Sequence, residues 1–97
     1  MCGATRDGVS TDGVDLATEA VVQGVVTRDG EPVGTAYVRL LDASGEFTAE
    51  VVTSPEGVFR FFAAPGKWTL RALSRQGNGD LSVDANRGIN QVGLSVA

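Results

Sequence analysis

The stretch Val58-Phe59-Arg60-Phe61-Phe62-Ala63-Ala64-Pro65-Gly66-Lys67-Trp68-Thr69-Leu70-Arg71-Ala72-Leu73-Ser74 decides the reading of this chain. Phe59 and Phe61 alternate with Val58, Arg60 and Phe62. After Ala64-Pro65-Gly66, Trp68, Leu70 and Ala72 alternate with Thr69, Arg71 and Leu73. A period of two is the signature of a strand, whose successive side chains leave opposite faces. Proline and glycine between the two runs mark a turn. The stretch therefore reads as two strands, Val58 to Ala63 and Lys67 to Ser74.

The same grammar extends outward. Val21 to Thr27 is a strand ended by Asp29-Gly30, a strong turn pair, with Pro32 in the following loop. Ala36 to Leu41 ends at Asp42-Ala43-Ser44-Gly45, and Phe47 to Thr53 ends at Ser54-Pro55-Glu56-Gly57. Gln76-Gly77-Asn78-Gly79 reads as a further turn, and Leu81 to Asp84 and Ile89 to Val96 bring the count to seven strands. No segment keeps apolar residues at helical spacing for two turns free of glycine. With 14 valines against seven leucines, composition also favours β-branched, strand-forming residues. A chain of 97 residues holds one domain. The expectation is an all-β sandwich over residues 20–97, preceded by a flexible acidic tail over residues 1–19. That tail carries Arg6 against Asp7, Asp12, Asp15 and Glu19, and so most of the chain's net charge of -4.

Several function classes fall away on composition. Without histidine there is no Ser–His or Cys–His dyad and no imidazole metal ligand. One cysteine makes neither an internal disulfide nor a usual zinc site, which suits a reducing cytoplasm. Apolar runs are too short for a membrane helix, and a pI near 4.5 argues against nucleic acid. No cofactor and no metal site are expected. Gly77-Asn78-Gly79-Asp80 lacks both the spaced acids of a calcium loop and the lysine of a phosphate loop, so it reads as turn chemistry.

Two constellations remain. Placing Arg39, Arg60 and Arg71 outside puts Val38, Leu40, Phe59, Phe61, Trp68 and Leu70 in the core. Tyr37 and Phe62 then stand outside with the arginines. If these strands share a sheet, Tyr37, Arg39, Arg60, Phe62 and Arg71 form one basic, partly aromatic face suited to a partner protein or a small oxyanion. The plainer reading is solvent-facing arginines laid over apolar stems. The second constellation is Cys2. Removal of Met1 would leave a terminal cysteine whose protonated α-amine favours the thiolate, as a persulfide acceptor requires. The plainer reading there is a terminal thiol without a role.

Gly24-x-Val26, Gly30-x-Pro32-Val33, Ala36-x-Val38-x-Leu40, Gly57-x-Phe59-x-Phe61 and Pro65-Gly66-x-Trp68-x-Leu70 resemble the carboxypeptidase regulatory-like domain, over about Val21 to Leu73. That resemblance implies a seven-stranded, prealbumin-like β-sandwich that serves as an accessory module without an active site. Two departures are a first interstrand loop one residue short and Trp68 in place of the usual tyrosine. Over nearly the whole chain, Met1-Cys2, Arg39-Leu40-Leu41-Asp42, Glu46-Phe47-Thr48-Ala49-Glu50, Arg60-Phe61-Phe62-Ala63-Ala64-Pro65-Gly66 and Gly77-Asn78-Gly79-Asp80 resemble a family of small actinobacterial proteins. These are domains of unknown function whose genes often neighbour a rhodanese-type thiosulfate sulfurtransferase. The resemblance implies a non-enzymatic adaptor acting with such an enzyme in sulfur metabolism. The alternatives are a sulfur carrier using Cys2 and a structural module that assembles with itself through sheet edges.

Overall fold

The computed structural model describes residues 19–97. The expected acidic tail, apart from Glu19, lies outside the described residues, and so does Cys2. Eight strands follow in order: β1 (Ala20–Arg28), β2 (Glu31–Pro32), β3 (Tyr37–Leu41), β4 (Phe47–Val52), β5 (Val58–Ala63), β6 (Gly66–Ser74), β7 (Gly77–Ala85) and β8 (Gly88–Ser95). Among the described residues there is no helix, and the fold they form is all-β.

The strands form two sheets packed face to face. In the first, β1 is central, with β8 parallel along one side and β5 antiparallel along the other, while β2 extends the β5 side. The second runs β4-β3-β6-β7, antiparallel throughout. Between them lie Val22, Val26, Val38, Leu40, Phe59, Phe61, Leu70 and Leu94, all buried. Each large apolar side chain removed from water contributes roughly 1.5–3 kcal/mol before its ordering entropy is counted. Phe59 and Phe61 meet in a tilted ring contact with centroids 6.2 Å apart. The alternation read from Val58 to Ser74 thus places its core residues, with one exception. Trp68 is only half-buried, because its indole N–H reaches out to donate to the Ala64 carbonyl at 2.8 Å.

Eight strands replace the expected seven, and the addition is the loop that was to hold Pro32. Asp29 and Gly30 both take positive φ, 52° and 84°, as a two-residue hairpin turn requires. That turn folds Glu31 and Pro32 back onto Arg28 and Thr27. The position is at a sheet edge, where proline is tolerated.

Gly77-Asn78-Gly79 also departs from expectation. The turn is the two residues Arg75-Gln76, and Gly77 already pairs with Ser74 at the start of β7. The glycines serve close approach. A Cβ at Gly79 would strike the Ser95 carbonyl, and Asn78 exchanges backbone hydrogen bonds with Ala97 at 3.1 and 3.3 Å. The end of the chain therefore stitches the first sheet to β7 of the second.

Candidate functional site

Strand pairing divides the expected binding set. Tyr37 and Arg39 on β3 and Arg71 on β6 share the outer face of the β4-β3-β6-β7 sheet. Arg60 and Phe62 on β5 lie on the outer face of the β5-β1-β8 sheet, on the other side of the molecule. The condition for a single five-residue face, a shared sheet, is met by three residues and not by the other two. The physical reason is that β5 pairs with β1 rather than with β3, which the local alternation does not specify.

On the β4-β3-β6-β7 sheet, one row across the strands reads Glu50–Arg39–Arg71–Asp80. Two arginines directly opposite would repel. Each instead bonds the acid on its outer side: Arg39 Nε to Glu50 Oε2 at 2.8 Å, and Arg71 Nε to Asp80 Oδ1 at 3.0 Å. The hydrogen bond and charge of Asp80 hold the Arg71 guanidinium above its ordinary pKa. Lys67 and Asp84 make a third exposed pair at 3.1 Å. At the far end of the same sheet, Asp42 closes the β3–β4 turn. Its Oδ1 accepts from the Ser44 hydroxyl at 2.7 Å, the Ser44 N–H at 2.9 Å and the Glu46 N–H at 3.0 Å. Those bonds, the Ser44 hydroxyl first, pull the Asp42 carboxyl below its ordinary 3.8. Tyr37, with Val52 and Leu73 as register partners, adds an apolar row beside the ladder.

The β5-β1-β8 face is built differently. Its first outward row is Phe62–Val21–Ile89, and the next is Arg60–Gln23–Gln91. Phe62 is 48% and Ile89 53% exposed, yet Val21 between them is wholly buried. Gln23 Nε2 donates to Gln91 Oε1 at 2.8 Å. The buried Oε1 of Gln23 and the buried Nε of Arg60 have no hydrogen-bond partner among the described residues. Neither does Arg60 have an ion pair among them, unlike Arg39 and Arg71. A buried polar atom left unpaired costs about 1–3 kcal/mol. The face thus presents an aromatic and an aliphatic side chain beside an unanswered donor and an unanswered acceptor.

Sequence reasoning reached Arg60 and Phe62 but missed Val21, Gln23, Ile89 and Gln91. Alternation alone puts Val21 and Gln23 on one side of β1, and that signal was present. Their meeting with β5 and β8 depends on long-range register. Glu50 and Asp80 were missed as arginine partners for the same reason. Among the described residues, no group of three or more His, Cys, Asp or Glu is placed to hold a metal ion.

Residues 2–96 match the family described as "Protein of unknown function (DUF1416)". The "Uncharacterized protein Rv0814c" and "Uncharacterized protein Rv3118" of Mycobacterium tuberculosis are each 54% identical to this chain and aligned over 99% of both partners. An uncharacterized protein of Mycolicibacterium smegmatis is 59% identical over 88% of this chain and 97% of its own. Among solved structures, a DUF3823 family protein from Parabacteroides merdae superposes with a TM-score of 0.64 at 20% identity, over 82% of this chain. At that identity the likeness is one of fold alone. This chain spans 46% of that protein's length.

Proposed function

The chain belongs to the DUF1416 family, and we propose that it acts as a non-enzymatic accessory module that binds a partner protein through the outer face of the β5-β1-β8 sheet. The observation that carries this reading is the coincidence on one face of two half-exposed apolar side chains, Phe62 and Ile89, with the unpartnered Arg60 Nε and Gln23 Oε1. A partner suited to it lays an apolar side chain over Phe62 and Ile89 and brings a carboxylate to Arg60 and an N–H to Gln23. Such cores, desolvated and centred on aromatic and arginine side chains, carry most of the energy of protein interfaces. A second copy of the chain is poorly matched, because among the described residues the outward rows Phe62–Val21–Ile89 and Arg60–Gln23–Gln91 carry no acid for Arg60.

We assign the partner to the rhodanese-type thiosulfate sulfurtransferases and the setting to cytoplasmic sulfur metabolism. That assignment rests on the resemblance to actinobacterial proteins encoded beside such enzymes. Within the same reading the fold is of the prealbumin-like type, its seven principal strands supplemented by the two-residue β2. Calorimetric titration of the chain into the sulfurtransferase of its own organism tests both parts. Wild type is expected to bind with a Kd on the order of micromolar. Arg60→Glu should weaken binding about 30-fold or more, and Arg39→Glu hardly at all. No binding by wild type would overturn the partner. A loss on Arg39→Glu with none on Arg60→Glu would overturn the face.

A further inference from the structure

We infer that a second site, independent of the docking face, lies between the β2–β3 connection and the β6–β7 turn and takes a small organic carboxylate with an apolar body. A groove of about 650 Å³ opens there, lined by Val33, Thr35, Tyr37, Leu73, Arg75 and Gln76 among others. The volume falls within the roughly 300–1,000 Å³ of small-molecule sites. Leu73 and the Tyr37 ring supply apolar wall. Among the described lining residues, Arg75 supplies the only formal charge. In a chain of net charge -4, a groove whose described lining holds a guanidinium and no carboxylate selects an anion. Arg75 has no ion pair among the described residues, so its charge is uncommitted.

Both walls are held in place before any ligand arrives. Thr35 sits in the left-handed region with φ of 59°, an uncommon conformation for a β-branched residue. Strain of this kind persists only where surrounding structure enforces it, and it gathers at binding sites. Here the enforcing group is the buried Thr53. Its hydroxyl donates to the Val33 carbonyl at 3.1 Å and accepts from the Ala36 N–H at 2.9 Å, clamping the segment on either side of Thr35. Gly34 is packed so closely on Pro55 that a Cβ would meet its carbonyl oxygen at 2.8 Å. Across the groove, the Ser74 hydroxyl donates to the Gly77 carbonyl at 2.9 Å and accepts from the Gln76 N–H at 3.1 Å, which fixes the turn that carries Arg75. A preorganised groove of this kind loses little entropy on binding.

Two-dimensional amide NMR of the full chain, titrated with phenylacetate and separately with neutral phenylacetamide, tests the site. Phenylacetate should give saturable shifts confined to residues 33–37 and 73–77, with a Kd on the order of a millimolar. Phenylacetamide should bind about tenfold more weakly, and Arg75→Gln should bring phenylacetate down to that level. Equal affinity for acid and amide, shifts centred elsewhere, or an unchanged affinity in Arg75→Gln would overturn the proposal.

Discussion

On the β4-β3-β6-β7 sheet, Arg39 and Arg71 face one another in register and each turns outward to an acid, Glu50 and Asp80. On the β5-β1-β8 sheet, Arg60 stands beside Gln23 with no ion pair among the described residues, below an apolar row of Phe62, Val21 and Ile89. Both faces expose arginine and aromatic side chains, and residue type alone does not tell them apart. Their difference is in what is already satisfied. The charges of the first face are neutralised within the chain and solvated, so a partner arriving there would have to displace existing bonds. The second face holds two buried polar atoms, Gln23 Oε1 and Arg60 Nε, with no hydrogen-bond partner among the described residues. Counting arginines therefore misjudges a surface, and counting their partners does not.

The comparison is broken most severely by charge on the second face. Phe62→Asp should weaken binding of the sulfurtransferase about 100-fold or more by calorimetry, as expected for loss of a central aromatic anchor. Its thermal midpoint should change little, since Phe62 is already half in water. The same substitution at Tyr37 should leave affinity within about twofold if the ladder face is uninvolved. A finer test is Gln23→Leu. It removes a buried acceptor that lacks a donor together with the exposed hydrogen bond to Gln91, so urea unfolding should show the free chain no less stable than wild type, while affinity for the partner falls. A destabilised variant would mean that Gln23 is already satisfied in solution.

On the ladder face the effects should be small. Arg39→Ala is expected to cost less than about 1 kcal/mol in urea unfolding, and added salt should erase most of that difference, because the pair with Glu50 is exposed. The smallest effect belongs to Asp42. Its carboxyl lies below 3.8 in the folded chain, held there by the Ser44 hydroxyl and the N–H groups of the turn. A depressed carboxylate contributes stability above its unfolded pKa and loses it as pH falls through the folded value. Acid titration should therefore show a stability decline below about pH 4 that is shallower in Asp42→Asn. Identical acid profiles would remove Asp42 from the account.

How much of this was legible in the sequence follows from the range of each interaction. Alternation along Val58 to Ser74 gave the strands and the buried side of each, because a period of two is a local property. The Asp29-Gly30 turn was legible for the same reason. Its consequence, the pairing of Glu31 and Pro32 with β1, was not, since it depends on the strand being long enough to receive them. Gly77 and Gly79 look like turn residues in isolation, and only the approach of Ser95 and Ala97 explains glycine within a strand. The division of the arginines between two sheets rests on β5 pairing with β1 across more than thirty residues, from Val21 to Phe62. No local pattern records that. The unpartnered atoms of Gln23 and Arg60 are further from the sequence still, for they appear only when side chains from two strands are placed together.

The central claim is that the β5-β1-β8 face, not the ladder face, receives the partner. Hydrogen–deuterium exchange of the chain alone and with saturating sulfurtransferase addresses it directly. Slowed exchange should fall on residues 21–23, 60–62 and 89–91, with residues 37–41 and 69–73 unchanged. Slowing centred on Tyr37, Arg39 and Arg71, with none around Arg60 and Phe62, would contradict it.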